Sequence, residues 1–403
     1  MPSLTKHRVP FAILVVVLIL FAAAVAIFWA RGFKPNLKNG SIDRTGLIVA
    51  TSVPTGAQVY LDDRLTSATN TNIAFLDPKT YKLKIEKEGY TTWQKQIEVK
   101  ADLATEVKAL LFPVAPEIKP LSSTGAANPV LSPDGAKIVY GAGGTNGGLY
   151  LLPMGERPFP FSQNVRRLAK NQGNTDFTRA KFVWSADSKQ VIARISTPDG
   201  QNIANILIDS DKTEQDLQDI TGSLTSTLRS WQEDIDTRAQ TLATNIPDNI
   251  KEATAEASSS GPSPKPSPSS AKQKNSQLPA FNFQLNYYPT GLIFSPDEEK
   301  ILYKDKQGKY KVYDLKEKKE YTLPDFSDFI NISWFPDSSH LVVAQKDIIS
   351  VIETDGANKM TVYSGKFENG FVFAHPSGTR LIILTTLTQP EGNPPNLYSI
   401  NLK

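Results

Sequence analysis

The sequence predicts a mainly β chain. It reads as an N-terminal transmembrane helix, a small β-sandwich, and a β-propeller of about five blades interrupted by an α-helical insertion. Three observations carry this reading. Residues 9–30 hold no charged side chain. Residues 46–112 alternate apolar and polar side chains, the period of a strand with one buried face. From residue 131 onward, one polar corner flanked by apolar runs recurs five times.

The 403 residues exceed what one ordinary core accommodates and point to two or three domains. A formal net charge of +3 gives no broad field for nucleic acid, so no nucleic-acid partner is expected. There is no cysteine, which excludes disulfides, thiolate nucleophiles and cysteine-ligated metals. After a short tail at 1–8, the run "VPFAILVVVLILFAAAVAIFWA" at 9–30 has the length of a bilayer-spanning helix, about 20 residues. A cleaved signal peptide is the rival, with Ala24-Val25-Ala26 as its small-residue site, but the apolar run continues past Ala26. Lys6 and Arg8 precede the run, whereas Arg31, Lys34, Lys38 and Arg44 follow it, within and just beyond an expected linker at 31–45. The basic count alone favours a cytoplasmic C-terminal part. The very short basic tail instead matches an uncleaved signal anchor. The expectation is therefore a single-pass protein of the cell membrane with its C-terminal domains extracytoplasmic.

At 46–112, "GLIVATSVPTGAQVYLDD" and "YKLKIEKEGYTTWQKQIEVKA" alternate as strands, with turns at Pro54-Thr55-Gly56 and Gly89-Tyr90. The pattern predicts a small antiparallel β-sandwich. The stretch resembles the PEGA domain, named for a Pro-Glu-Gly-Ala motif that reads Pro54-Thr55-Gly56-Ala57 here, followed by Val59-Tyr60-Leu61-Asp62, Glu88-Gly89-Tyr90, Trp93 and Val99. Asp63, Asn70 and Lys79-Thr80 depart from the family pattern. The resemblance implies an envelope or surface module without catalysis.

From 114 to 403 the recurring corner takes over, at "LSPDGAKIVY" (131–140), "WSADSKQVIA" (184–193), "FSPDEEKILY" (294–303), "FPDSSHLVVA" (335–344) and "HPSGTRLIIL" (375–384). Its chemistry is that of a tight turn. Ser bonds the backbone two residues on, Pro presets φ, Asp tolerates the third position, and Gly suits the fourth. The last three centres, Asp297, Asp337 and Ser377, are 40 residues apart, the period of four-stranded propeller blades. These repeats resemble the propeller repeats of the translocation protein TolB and its relatives, best at Ser132-Pro133-Asp134-Gly135, over about 114–212 and 286–403. That resemblance implies fold, and blades that position partners.

The wide gap between Asp187 and Asp297 predicts an insertion. Leu217, Ile220, Leu224, Leu228, Trp231, Ile235, Leu242 and Ile246 make an amphipathic stripe, so 213–257 is expected to be helical, with Pro247 starting a second short helix that carries Ile250 and Ala253. The stripe is expected to bury itself against the propeller rather than to mediate self-association. The Ser-, Pro- and Lys-rich stretch 258–285 reads as a linker. The final blade shows three strands before Lys403, so residues 117–122 are expected to supply its outer strand by pairing with 396–402. Pro120 fits only such an edge.

No catalytic, cofactor or metal residue is assigned. His340 opens a strand and His375 occupies a corner, and His7 lies in the tail. There is no Gly-x-Ser-x-Gly elbow. "DSDKTE" at 209–214 lacks the glycine and distal glutamate of a calcium loop. "GAGGTNGG" at 141–148 lacks the Lys-Ser/Thr of a phosphate cradle and reads as a flexible hairpin loop. The expected function is non-enzymatic binding or scaffolding in the cell envelope, toward a protein or an envelope polymer. The alternative is a divergent hydrolase or lyase with convergent titratable groups in the propeller funnel.

Overall fold

The structure is a computed structural model that describes residues 8–30, 33–36, 41–155, 165–197, 201–244, 246–248, 250–251, 292–368, 370–387 and 393–403. The expected linker 258–285 and the position of Ala253 lie outside the described residues. The chain divides into two units, Met1–Ala115 and Pro116–Lys403.

The first unit opens with a 23-residue helix, Arg8–Ala30. Its apolar side chains are exposed along most of its length, and its 1.5 Å rise per residue makes it long enough to cross a bilayer. The segment expected as a linker is partly folded. Phe33–Asn36 pairs antiparallel with Ser41–Arg44, with Phe33 opposite Arg44. Two sheets follow. Thr71–Leu76, Gly46–Val53 and Ala104–Leu110 form a three-stranded sheet, and Arg64–Ala68, Gln58–Leu61, Thr80–Glu86 and Trp93–Glu98 form a four-stranded one. Gly46–Val53 and Ala104–Leu110 run parallel, so the sandwich is not wholly antiparallel as expected. The chain enters and leaves the domain through these two strands, and it reverses direction an even number of times between them. The period-2 alternation buries Ile48, Ala50, Val59, Leu83, Ile85 and Trp93. Asp62 and Asp63 take φ of +49° and +63° in the turn before Arg64, the left-handed conformation that aspartate tolerates better than most residues.

The second unit is a five-bladed propeller of four-stranded antiparallel sheets. Blade 1 is Ala127–Leu131, Lys137–Ala142, Gly148–Pro153 and Arg166–Lys170. Blade 2 is Ala180–Trp184, Gln190–Ser196, Asn202–Asp209 and Gln218–Asp219. Blade 3 is Leu292–Phe294, Lys300–Lys304, Tyr310–Asp314 and Lys319–Thr322. Blade 4 is Phe329–Trp334, His340–Gln345, Ile348–Glu353 and Met360–Ser364. Blade 5 takes Val372–Ala374, Arg380–Thr385 and Asn396–Asn401 from the C-terminus and Ile118–Pro120 as its outer strand. Ile118 pairs with Ile400 and Pro120 with Tyr398, so the expected pairing of the chain's two ends closes the ring. Central strands carry apolar side chains on both faces because each face packs against a neighbouring blade. His340–Gln345 is buried at every position.

The insertion fills one of those inter-blade layers. Its helix spans Leu224–Ala243, which corrects the expected start at 213. Residues before it belong to the blades: Gln215 N–H donates to the Leu168 carbonyl of blade 1, and Gln218–Asp219 pairs with Ile206–Leu207 of blade 2. Asp219 then accepts from the Thr221 amide and hydroxyl and ends the strand. Leu224, Leu228, Trp231 and Ile235 pack with Ile220 onto Val183 and Ile192 of blade 2. Further on, Leu242, Ile246 and Ile250 pack onto Leu292, Phe294, Ile301 and Tyr303 of blade 3. The stripe is thus buried against the propeller.

Candidate functional site

All five corners share one backbone bond, from the amide of the first residue to the carbonyl five residues on, and those of blades 1 to 3 add a serine–aspartate bond. In blade 3, Ser295 N–H donates to the Lys300 carbonyl (2.8 Å), its Oγ donates to Asp297 Oδ1 (2.5 Å), and the same Oγ accepts from Lys300 N–H (2.9 Å). Blades 1 and 2 repeat this at Ser132/Asp134 and Ser185/Asp187. The aspartates are therefore turn caps, and neighbouring groups hold several below the ordinary carboxylate range. For Asp187 the Ser185 hydroxyl is the largest cause. For Asp297 and Asp337 burial pushes upward, but Ser295 and His340 respectively, with backbone amides, outweigh it.

The fourth corner position links blades. Ser188 and Ser338 have φ of +58° and +55°, and their hydroxyls accept the amides of Asp134 and Asp297 in the preceding blade, both at 3.1 Å. Trp184 and Trp334, four residues earlier, donate Nε1–H to the Val130 and Ile293 carbonyls of that same preceding blade. The signal was present as Trp184-Ser185-Ala186-Asp187-Ser188 and Trp334-Phe335-Pro336-Asp337-Ser338. In blade 5 the position is Gly378, at φ +65°, where a Cβ would meet the Phe335 ring at 3.2 Å. In blade 3 it is Glu298, which reaches Arg238 of the inserted helix (3.5 Å).

Both corner histidines are held by groups of their own turns. His340 Nδ1 lies 2.7 Å from Asp337 Oδ2, but the same carboxylate caps the Ser339 and His340 amides, and the imidazole packs edge-on to Phe335. His375 Nδ1 lies 2.8 Å from Ser377 Oγ, the start of a nucleophile–base pair. Its other ring nitrogen faces Arg380 Nη2 at 2.9 Å, a donor where a triad needs a carboxylate. The carboxylates of 209–214 turn to cations: Asp211 to Lys137, Asp209 to Lys212, Glu214 to Arg167 and Lys170. Among the described residues no cluster of metal-ligating side chains forms. The five inner strands, next to the ring axis, contribute one titratable side chain, Lys181.

One concave feature of the propeller is a cleft of about 600 Å³ lined by Thr124–Ala127, Gly141, Gly143–Asn146, Thr178 and Pro394. Four separate segments build it, and each is held. Asn396 Oδ1 accepts from Ser122 Oγ and the Gly125 amide (2.9 Å each), and Ala126 N–H donates to the Pro395 carbonyl, so one wall hangs on the ring closure. The Gly-rich hairpin loop is pinned, not free as expected: the Asn146 carbonyl accepts from Tyr150 Oη (2.5 Å) and Arg167 Nη1 (3.1 Å). Thr178 is set by Asp176, which accepts its amide and hydroxyl. Chain at Phe177 crosses so closely over Gly141 that a Cβ there would fall 2.0 Å from the Phe177 carbonyl oxygen. No lining residue is charged. The first unit has its own depression, of about 580 Å³, between Gly56, Gln58, Glu86–Tyr90 and Thr92. Lys87 Nζ crosses it to the Thr55 carbonyl at 2.6 Å.

Residues 45–114 match the PEGA domain. The Pro-Thr-Gly-Ala turn of this domain is held by Thr69, whose hydroxyl accepts the Ala57 amide and meets Ser52 Oγ at 2.5 Å. Solved structures similar to the chain include an oligogalacturonate lyase in complex with manganese, at 8% identity over 80% of this chain and 83% of that one, with a TM-score of 0.29. TolB from Acinetobacter baumannii is similar at 13% identity, 80% and 65% coverage and a TM-score of 0.19. The β-propeller domain of Cps50 (Swd1) from Myceliophteria thermophila is similar at 11% identity, 69% and 73% coverage and a TM-score of 0.20. No curated protein matches the chain. The propeller assignment stands on its five sheets and their closure.

Proposed function

We propose that the chain is a single-pass, membrane-anchored protein of the cell envelope, with its PEGA domain and propeller outside the cytoplasm, that binds a partner without chemistry on it. The cleft between blades 5, 1 and 2 is the binding site. The observation that carries this is its lining: four glycines, two alanines, Pro394, three threonines and Asn146, with no acid, base or nucleophile paired to one. Such a surface recognises hydrogen-bonding groups of an uncharged protein segment or envelope polymer. Glycine lets the partner's backbone approach closely. The corner hydrogen bonds make the propeller a rigid frame for it.

Blocking the cleft tests the assignment. Thr145→Trp places a bulky side chain on the hairpin loop without touching the blade core. Full-length protein captured with cross-linking from its own envelope should retain a partner that the Thr145→Trp variant loses, at equal folding by circular dichroism. Equal capture by both proteins would remove the cleft from the binding surface.

A further inference from the structure

The end of the PEGA domain nearest the anchor exposes apolar side chains. Phe75 is 46% and Leu103 57% exposed. Strand register brings them together. Gly46 pairs with Leu76 and Ile48 with Ile73, so Phe75 lies at the irregularity beside Leu47. On the other side Leu47 N–H donates to the Leu103 carbonyl at 3.1 Å, and Leu47 pairs with Ala104. Leu47 is itself only half-buried. Phe75 adopts φ +59°, a conformation that an aromatic residue rarely takes.

The ribbon after the helix fixes where this end lies. The helix ends at Ala30, and Phe33 follows three residues later. Phe33 pairs with Arg44, so the chain returns to within about 5 Å of Phe33 before the domain begins. Three residues reach at most about 11 Å. Leu47, three residues beyond Arg44, therefore lies within about 27 Å of the end of the anchor helix, whereas Val53 ends the same strand six residues on. The nearby carboxylate, Asp102, is paired with Arg44 at 3.0 Å and brings its counter-charge with it.

We propose that this end of the PEGA domain, through Phe75, Leu103 and Leu47, rests in the interfacial layer of the bilayer that holds the anchor. The occupant is lipid, because the short tether keeps these side chains near the membrane surface that holds the anchor. Aromatic and leucine side chains favour that layer. The inference rests on the reading of the helix as an anchor, and its test separates the two.

The cysteine-free chain permits single-cysteine variants without background. Nitroxide labels on Phe75→Cys, Leu103→Cys, Leu20→Cys and Leu65→Cys are read in full-length protein, one chain per nanodisc of phosphatidylethanolamine and phosphatidylglycerol. Leu65 is 61% exposed on an edge strand of the other sheet and serves as the aqueous reference. The expected result is a deep label at 20, and labels at 75 and 103 several-fold less accessible to a water-soluble nickel chelate, and more to oxygen, than the label at 65. Labels at 75 and 103 as nickel-accessible as that at 65, with 20 still deep, overturn the proposal and leave the anchor standing. Immobilised labels at 75 and 103 without a gain in oxygen contact indicate a protein neighbour and also overturn it. A nickel-accessible label at 20 overturns the anchor and the proposal together.

Discussion

Ser188 and Ser338 show how one position can serve both turn and ring. Each occupies a left-handed conformation that costs a non-glycine residue roughly 1–2 kcal/mol, and each accepts an amide from the neighbouring blade. Ser338→Ala keeps the strained φ and leaves the Asp297 amide without its acceptor, so it should lower unfolding free energy by about 1 kcal/mol. Ser338→Gly loses the same bond but relieves the strain, and should cost clearly less. Urea denaturation of the two variants and wild type checks this: equal losses in the two would show that the left-handed φ carries no strain, and no loss in Ser338→Ala would show that the cross-blade bond carries nothing. The corner aspartates give a pH dependence of defined sign. Asp187, Asp297 and Asp337 titrate lower in the folded chain than the ordinary value. Their contribution is therefore present above about pH 4 and is lost as pH falls through the depressed folded values. The stability gap between wild type and Asp297→Asn should be open at pH 7 and shrink toward pH 3, as measured by denaturation at each pH. The corners were legible because Ser-Pro-Asp-Gly chemistry is local. The links from Ser188, Ser338, Trp184 and Trp334 were not, because their acceptors and donors lie on a different blade.

At the level of elements, the inserted helix bridges two blades that would otherwise pack directly. Its stripe was readable from spacing alone, yet the first turn of that reading failed. Leu217 fits the helical period, but it packs into the core between blades 1 and 2, ahead of a two-residue strand too short to show a pattern. The parallel pairing of Gly46–Val53 with Ala104–Leu110 was equally hidden, since alternation specifies a buried face and not a neighbour. Leu228 is 1% exposed between Val183 and Ile192. Leu228→Ala should destabilise the propeller by about 2–4 kcal/mol through transfer and cavity terms. Thermal unfolding of the variant should fall while that of the exposed control Thr237→Ala stays near wild type. A loss below about 0.5 kcal/mol, the range of ordinary surface changes, would place the helix outside the core.

Across the whole molecule, the closure of the ring was the most legible feature, because a last blade one strand short demands a partner from elsewhere. The cleft was the least legible. Its lining is threonine, glycine, alanine, Asn146 and Pro394, drawn from four separate segments, residues with no chemistry to flag and no proximity in sequence. Ring closure brings them together through Asn396. The account as a whole depends on which side of the membrane this assembly occupies, and one labelling experiment asks that directly. Lys306→Cys adds one thiol in the blade 3 hairpin loop of a chain that has none. In intact cells or spheroplasts, a membrane-impermeant maleimide should label it as fully as in lysed cells. Labelling that appears only after lysis would put the propeller in the cytoplasm and contradict the proposed function.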